Sequence, residues 1–338
     1  MANVWRVARR SIGRCAVWAL VAVAALSAQA QTQTQTQTQT WPTRQPIRVI
    51  VPLSAGSATD VIPRVVFEPV SMQIGQTVVV ENRTGGGGVI GAAAVAKADP
   101  DGYTILVHSN GLIIAPSVQP NVPFDVVKDF AGVTPLGNVP LVLVIAPSKN
   151  IKTVQELVAL AKAKPGSINY ASGGTGTPPH LTAERFRLSA GFEGTHIPFK
   201  GAPEALTEVM TGRVDFYFSP LAPALPFIRD GQLRALAVGS SKRASALPDV
   251  PTTLEAGYPN SDYDFYSGMW MPAKTPRDII NRLHQETVKA LRSPAVQEKL
   301  AKMGVEEMIL SPEAFDQRVA QEVAVAAELA KTVGIAAK

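Results

Sequence analysis

The stretch Ile47-Arg48-Val49-Ile50-Val51-Pro52-Leu53-Ser54-Ala55-Gly56-Ser57-Ala58-Thr59-Asp60 decides the fold. Its first five residues are apolar and β-branched apart from Arg48, and Pro52 closes them, so they read as a buried strand. Small and hydroxylated residues follow, and then a helical stretch at roughly 60–74. Strand, small-residue turn and helix make one βα unit.

The unit recurs along the chain. Thr77 to Glu81 and Thr104 to Val107 read as strands, with a helix at roughly 89–97 between them. That spacing implies a parallel sheet with covering helices. Pro63 and Pro69 interrupt the first helix, and a kink or early end is expected at Pro69. Leu141 to Ile145 is another strand, and Thr153 with Glu156 forms a capping box for a helix ending about Ala163. Ile168 to Ala171, Gly194 to Pro198, Val214 to Phe218 and Leu233 to Val238 are strand candidates, with helices at roughly 178–190, 203–211 and 222–230. Pro248 to Asp264 reads as a connector rich in turn-forming residues. Tyr266 to Trp270 is a strand, and helices open at Pro276, Pro294 and Pro312, each proline preceded by Thr or Ser. This tail has no strands of its own and should pack back on the first block. The expectation is α/β with two lobes, each a central, mostly parallel sheet with flanking helices, and a ligand cleft between them. Lobe 1 is placed at 41–141 with 265–338, and lobe 2 at 142–264.

The chain has 338 residues, ample for such a pair. Hydrophobic residues at 46% and charged residues at 17% read as globular. The basic balance comes from one place. Residues 1–30 hold Arg6, Arg9, Arg10 and Arg14 and no acid, and without them 28 basic face 27 acidic residues. Nothing in that balance supports binding nucleic acid. The arginines precede a short apolar run, Cys15 to Leu26, and then Ala28-Gln29-Ala30. Residues 1–30 thus read as a secretory signal peptide cleaved after Ala30, and export of a chain without disulfides fits a bacterial periplasm. Arg9-Arg10 is a weak twin-arginine cue. Residues 31–40 are five Gln-Thr repeats and read as a disordered linker. Cys15 is the only cysteine, so the mature chain has no disulfide, thiolate site or cysteine nucleophile.

Catalytic signatures are missing. There is no G-x-S-x-G, H-E-x-x-H or P-loop, and His108, His180, His196 and His284 are scattered at no helical metal spacing. Gly86, Gly88 and Gly91 fit a dinucleotide fingerprint, but the next strand ends in His108-Ser109-Asn110 instead of an acid. No metal or cofactor is expected. The positive signal lies at strand-to-helix turns. Ser54, Gly56, Ser57 and Thr59 form the first. Ser172, Gly174, Thr175, Gly176 and Thr177 form the second, ahead of Pro178. Lys200 and Gly201 form the third, ahead of Pro203, while Asn82, Ser109 and Asn110 end strands that could line the same crevice. Such turns offer backbone N–H groups, hydroxyls and helix N-termini, which suit a carboxylate. Asp60 is read as favouring its own helix start.

At these residues the chain resembles the tripartite tricarboxylate transporter substrate-binding receptors, or Bug proteins. The matching stretches are Pro46 to Pro52, Val80 to Arg83 with the glycine run and Ile90-Gly91, Pro100 to Thr104, Asn169 to Gly176 with His180-Leu181, Pro198 to Gly201, Gly212 to Asp215 and Pro272 to Pro276. The resemblance implies a periplasmic binding protein of the type II-like fold that closes on a small organic acid and presents it to integral membrane permease subunits. It implies that Ser54 to Thr59 and Ser172 to Thr177 clamp the carboxylate, with no catalysis and no oligomer. The family's first turn usually has a proline and a second glycine where this chain has Ala55 and Ser57. An exported hydrolase using His180, or a sensor handing the closed form to a signalling partner, are the competing readings.

Overall fold

The computed structural model describes Trp41–Ala337; the expected signal peptide and the Gln-Thr linker lie outside the described residues. The chain runs β1 (Ile47–Val51), α1 (Ala58–Ile74), β2 (Val78–Asn82), α2 (Val89–Ala96), β3 (Thr104–Ser109), α3 (Gly111–Val118) and β4 (Phe130–Asn138). It crosses into β5 (Leu141–Ile145), α4 (Val154–Ala163), β6 (Ile168–Ser172), α5 (Pro178–Ala190), β7 (Gly194–Pro198), α6 (Ala202–Met210), β8 (Phe216–Pro220), α7 (Leu221–Arg229) and β9 (Arg234–Val238). It then returns through β10 (Tyr266–Pro272), α8 (Arg277–Leu291), α9 (Pro294–Lys302) and α10 (Pro312–Thr332).

Two five-stranded sheets result, ordered β2-β1-β3-β10-β4 and β7-β6-β8-β5-β9. They share one plan. Three strands form the expected parallel core, and a strand entering from the other lobe adds antiparallel to it: β10 in the first sheet, β5 in the second. Each sheet is therefore mixed, with two parallel and two antiparallel pairings. The reason is topological. A crossing chain reaches the sheet from the side at which the parallel strands end.

Burial follows the sequence pattern. β1 is buried at every position except Arg48, which pairs with Glu81 of β2. Val49 and Val51 join Ile62, Val66 and Val70 of α1 and Leu283 and Ala290 of α8 in one core, so the C-terminal helices complete the first lobe. The second lobe has a core on each face of its sheet, one around Phe186, Phe216 and Phe218 and one around Leu206, Val209 and Leu225. α1 continues to Ile74 through both prolines. Its buried face, from Ile62 and Pro63 to Val70 and Ile74, outweighs the roughly 3 kcal/mol that an interior proline costs. Two elements were not expected. α3 is apolar except for Ser117 and contains Pro116, so it lacks helical periodicity. β4 contains Gly132, Pro135 and Gly137, and its pairing with β10 absorbs them through two register shifts.

The two crossing segments are bonded to each other. Val139 N–H donates to Phe265 O at 2.8 Å, Gly239 N–H to Leu141 O at 2.7 Å, and Tyr263 N–H to Gly239 O at 2.9 Å. A separate apolar cluster ties Ile114 and Val118 of α3 to Leu181 of α5 through Ala326 and Ala330 of α10.

Candidate functional site at the junction of the lobes

The turn after β1 is shaped from within. Gly56 takes a left-handed φ of +82°, which no β-branched residue would hold. Its N–H donates to Asp60 Oδ2 at 2.9 Å, while Asp60 Oδ1 accepts from Arg64 Nη2 at 2.8 Å and Asn82 Nδ2 at 2.9 Å. Asn82 Nδ2 also donates to Leu53 O at 2.9 Å. These bonds to the ionised form hold the Asp60 carboxyl below its usual range, although burial, the largest influence, pushes it up. The expectation that Asp60 serves its own helix start holds in detail: it is the buried post on which the turn is wound. Asn82 is part of that post and does not line the cleft.

Across the junction, the first turn meets the third. Ser54 N–H donates to Lys200 O at 3.2 Å, Ser57 Oγ accepts from Ala202 N–H at 3.2 Å, and Ser54 Oγ donates to Glu204 Oε2 at 2.9 Å. The glycine run meets the second turn. A Cβ on Gly87 would stand 2.4 Å from Thr175 O, and Gln119 Nε2 bridges Gly86 O at 2.9 Å and Thr175 O at 3.1 Å. The cleft is shut along both rows.

Between the rows remains a cavity of about 20 Å³. That is room for one water. Ser57, Thr59 and Ser109 line it from the first lobe, with Leu53, Ala58 and Phe265. Gly173, Thr177 and Gly201 line it from the second, with Pro178, Pro179, Ala202, Tyr217 and Pro220. No charged side chain is among them. The wall is thus hydroxyls and backbone on an apolar ground, with α1 presenting its first turn. Thr59 is buried, and its Oγ1 has no hydrogen-bond partner among the described residues.

The other expected residues take supporting places. Ser109 Oγ accepts from Gly111 N–H at 3.2 Å. Asn110 Nδ2 donates to Asp264 O at 2.9 Å and to Tyr263, so it fastens α3 to the returning segment and lines a different recess. Ser172 Oγ turns into its own loop, accepting from Gly174 N–H at 3.0 Å and meeting His196 Nε2 at 2.6 Å. Gly176 N–H donates to His180 Nδ1 at 3.2 Å, and Thr177 Oγ1 donates to Gly174 O at 2.7 Å. Lys200 is exposed and contributes its carbonyl. Two expectations need correcting. The turn before α5 offers fewer donors than its composition suggests, because Pro178 and Pro179 remove the first two helical N–H groups. The histidines, separate in sequence, are not all separate in space: the His180 and His196 rings stack at 3.8 Å.

That stack sits behind the second turn and completes a buried network. Tyr170 donates to Glu184, which Arg187 Nη2 also holds at 2.7 Å. Burial pushes His180 down to about 4 and His196 to about 3, and burial alone pushes His108 to about 3. All three are neutral near pH 7, so they act as hydrogen-bond acceptors and packing for the turns. Among the described residues no group of three or more His, Cys, Asp or Glu side chains is placed to hold a metal ion. Sequence reasoning missed Tyr217, Pro220, Phe265, Gln119 and Glu204. They come from strand ends, a crossover and a helix face, and none carries a local motif.

Two α/β lobes of this strand order, joined by paired crossing segments and meeting at helix N-termini, define a two-lobed solute-binding protein. The description "Tripartite tricarboxylate transporter family receptor" matches residues 62–335, and the chain belongs to that family. It is 38% identical over 290 residues to Protein BugT of Bordetella pertussis, covering 84% of this chain and 87% of that protein. The R. palustris protein Rpa4515, solved with adipate, superimposes with a TM-score of 0.84 at 32% identity, covering 88% of this chain and 99% of that one. MatC from Rhodopseudomonas palustris, solved with bound malate, gives 0.81 at 27% identity, covering 85% and 99%.

Proposed function

We propose that this chain is a periplasmic receptor that closes on a small organic carboxylate and delivers it to a membrane permease of the tripartite tricarboxylate transporter type. It is exported through residues 1–30, works as a monomer and performs no chemistry on its ligand. The observation that carries this reading is Thr59. A buried hydroxyl without a partner costs about 1–3 kcal/mol. This one lies at the wall of the interlobe cavity, in the first turn of α1, where the N–H groups of Ser57 and Asp60 are taken by Ser54 O and Ser57 O and those of Ala58 and Thr59 have no intrahelical acceptor. A carboxylate oxygen seated there accepts a hydrogen bond from the hydroxyl and lies at the favourable end of the helix dipole. Rpa4515 and MatC, which hold adipate and malate, support the ligand class.

A cavity of about 20 Å³ accepts neither acid, so ligand entry requires the lobes to part and reclose. In this reading residues 41–141 with 265–338 move against 142–264, and the paired crossing segments are the hinge. Ser54, Gly56, Ser57 and Thr59 grip from one side. The backbone of Ser172 to Thr177 and of Lys200-Gly201 closes from the other.

The test is a thermal-shift screen of the purified protein against small carboxylic acids, with Thr59→Val beside it. A ligand at 100 times its dissociation constant stabilises the fold by roughly 2.7 kcal/mol. The acid should raise the wild-type melting temperature. Thr59→Val should melt no lower than wild type without acid, because it removes an unpartnered hydroxyl, and should lose most of the acid-induced shift. An equal shift in both proteins, or no shift in wild type from any carboxylate, defeats the reading. Cells lacking the gene should also fail to take up the acid that binds.

A further inference from the structure

We infer that Glu204 makes this cleft select against dicarboxylates, so that the ligand is a monocarboxylate whose far end is uncharged or carries a hydrogen-bond donor such as an ammonium or hydroxyl. The inference rests on the receptor reading above and names the ligand class within it.

Glu204 stands in the first turn of α6 and reaches across the junction to Ser54, 150 positions away in sequence, at 2.9 Å. A ligand's second pole, opposite the α1 turn, would lie against this part of the second lobe. Three features of that part are unfavourable to a second anion. The N-terminus of α6, which would otherwise attract negative charge, carries Glu204 in its first turn. Among the described residues Glu204 takes part in no ion pair. Its charge also acts in the direction of the cavity wall: burial, the main cause, raises the Tyr217 phenol, and Glu204 adds a smaller push the same way.

The remaining wall of the second lobe supplies no compensation. Pro178 and Pro179 take away two N–H donors at α5, and Pro220 and Tyr217 are apolar ground for a hydrocarbon body. When the lobes part, the Ser54–Glu204 bond breaks, and the carboxylate at the mouth is free to accept a hydrogen bond from a donor on the ligand. A second carboxylate in that place meets like charge. An ammonium or hydroxyl meets a partner.

Adipate, 6-aminohexanoate and hexanoate have the same chain length and differ only at one end; succinate, 4-aminobutanoate and butanoate repeat the comparison two carbons shorter. Calorimetric titration of the full chain, purified after expression with its own N-terminal segment, is compared with Glu204→Gln. Glu204 is exposed, so the variant should fold as wild type does. Wild type should favour the amino acid or the monoacid over the diacid by at least tenfold at the length that binds. Glu204→Gln should narrow that ratio by about tenfold, the effect of one partly screened charge within a few ångströms. An unchanged ratio in Glu204→Gln, or a wild type that favours the diacid, overturns the inference while leaving the receptor reading standing. If no carboxylate of any kind binds either protein, both fall.

Discussion

Gly201→Ala isolates lobe closure from folding. Gly201 belongs to the second lobe, and its φ of 174° is extended backbone that alanine adopts without strain. An alanine Cβ there would meet two side chains of the other lobe, Ser54 Oγ at 2.0 Å and Ser57 Oγ at 2.4 Å, with Ser54 N behind them at 3.1 Å. Ordinary contact is more than 1 Å longer than the two hydroxyl distances. Both serines would have to turn away, giving up the bonds to Ala202 N–H and to Glu204. Each is worth about 1 kcal/mol. Closure therefore becomes about 2 kcal/mol less favourable, which is roughly 30-fold in the affinity of any ligand that needs it. Neither lobe's own core is touched. Calorimetry with the best carboxylate of the screen should show that loss, and the urea midpoint of the protein alone should move little. Wild-type affinity in Gly201→Ala would mean that the observed contact between the turns is not part of the bound state.

Two further outcomes follow from the groups behind the turns. His108 and His180 are buried and neutral, with values near 3 and 4 against about 6.5 in an unfolded chain. The unfolded state then binds more protons below pH 6.5, so their stabilisation is whole above that pH and is lost as pH falls toward 4. Each should cost about 2 kcal/mol by pH 5, and His196 adds in the same direction; urea unfolding at pH 7 and 5 measures the sum, and equal stability at the two pH values would contradict the buried, neutral assignment. Asp60→Asn removes the acceptor shared by Gly56, Arg64 and Asn82. It should destabilise the fold by about 3 kcal/mol and weaken carboxylate binding as well, and a variant as stable as wild type would show that the turn needs no central anion.

The βα repeat was legible because each strand is a short apolar run ended by a proline or a turn, as Val51-Pro52 and Ile145-Ala146-Pro147 show. β4 was not, because glycine and proline break its alternation and only pairing with β10 makes it a strand. The turns that meet at the cleft were legible in composition, and Ser57, Thr59, Ser109, Thr177 and Gly201 do converge on one cavity. Which way each side chain turns was not. Ser172 and Thr177 satisfy their own loop, and Asn82 and Asn110 brace the backbone of their own lobe and of the returning segment. A hydroxyl beside a free amide has a local and a distant partner available, and sequence does not rank them. Tyr217 and Phe265 carry no signal because they arrive through topology: one sits on a buried strand, the other just before the strand that returns.

The two lobes share a strand order yet face the cleft with unequal chemistry, and this fixes how a ligand would lie. The first lobe brings a helix start with its N–H groups intact, a buried hydroxyl in need of a partner, and a carboxyl, Asp60, already consumed by Arg64 and the turn. The second brings one helix that begins Pro178-Pro179 and another whose first turn carries Glu204. An acid gains its charge-assisted bonds at the first lobe and would gain few at the second. It should therefore dock head-first against α1 while the cleft is open, and the second lobe should then close over its body. On this reading closure in that order is driven by apolar contact with Pro178, Pro179 and Tyr217 and by the bonds between the first and third turns, not by a second anion site. On this reading the head group should set whether a molecule binds, and the far end whether the lobes can shut on it.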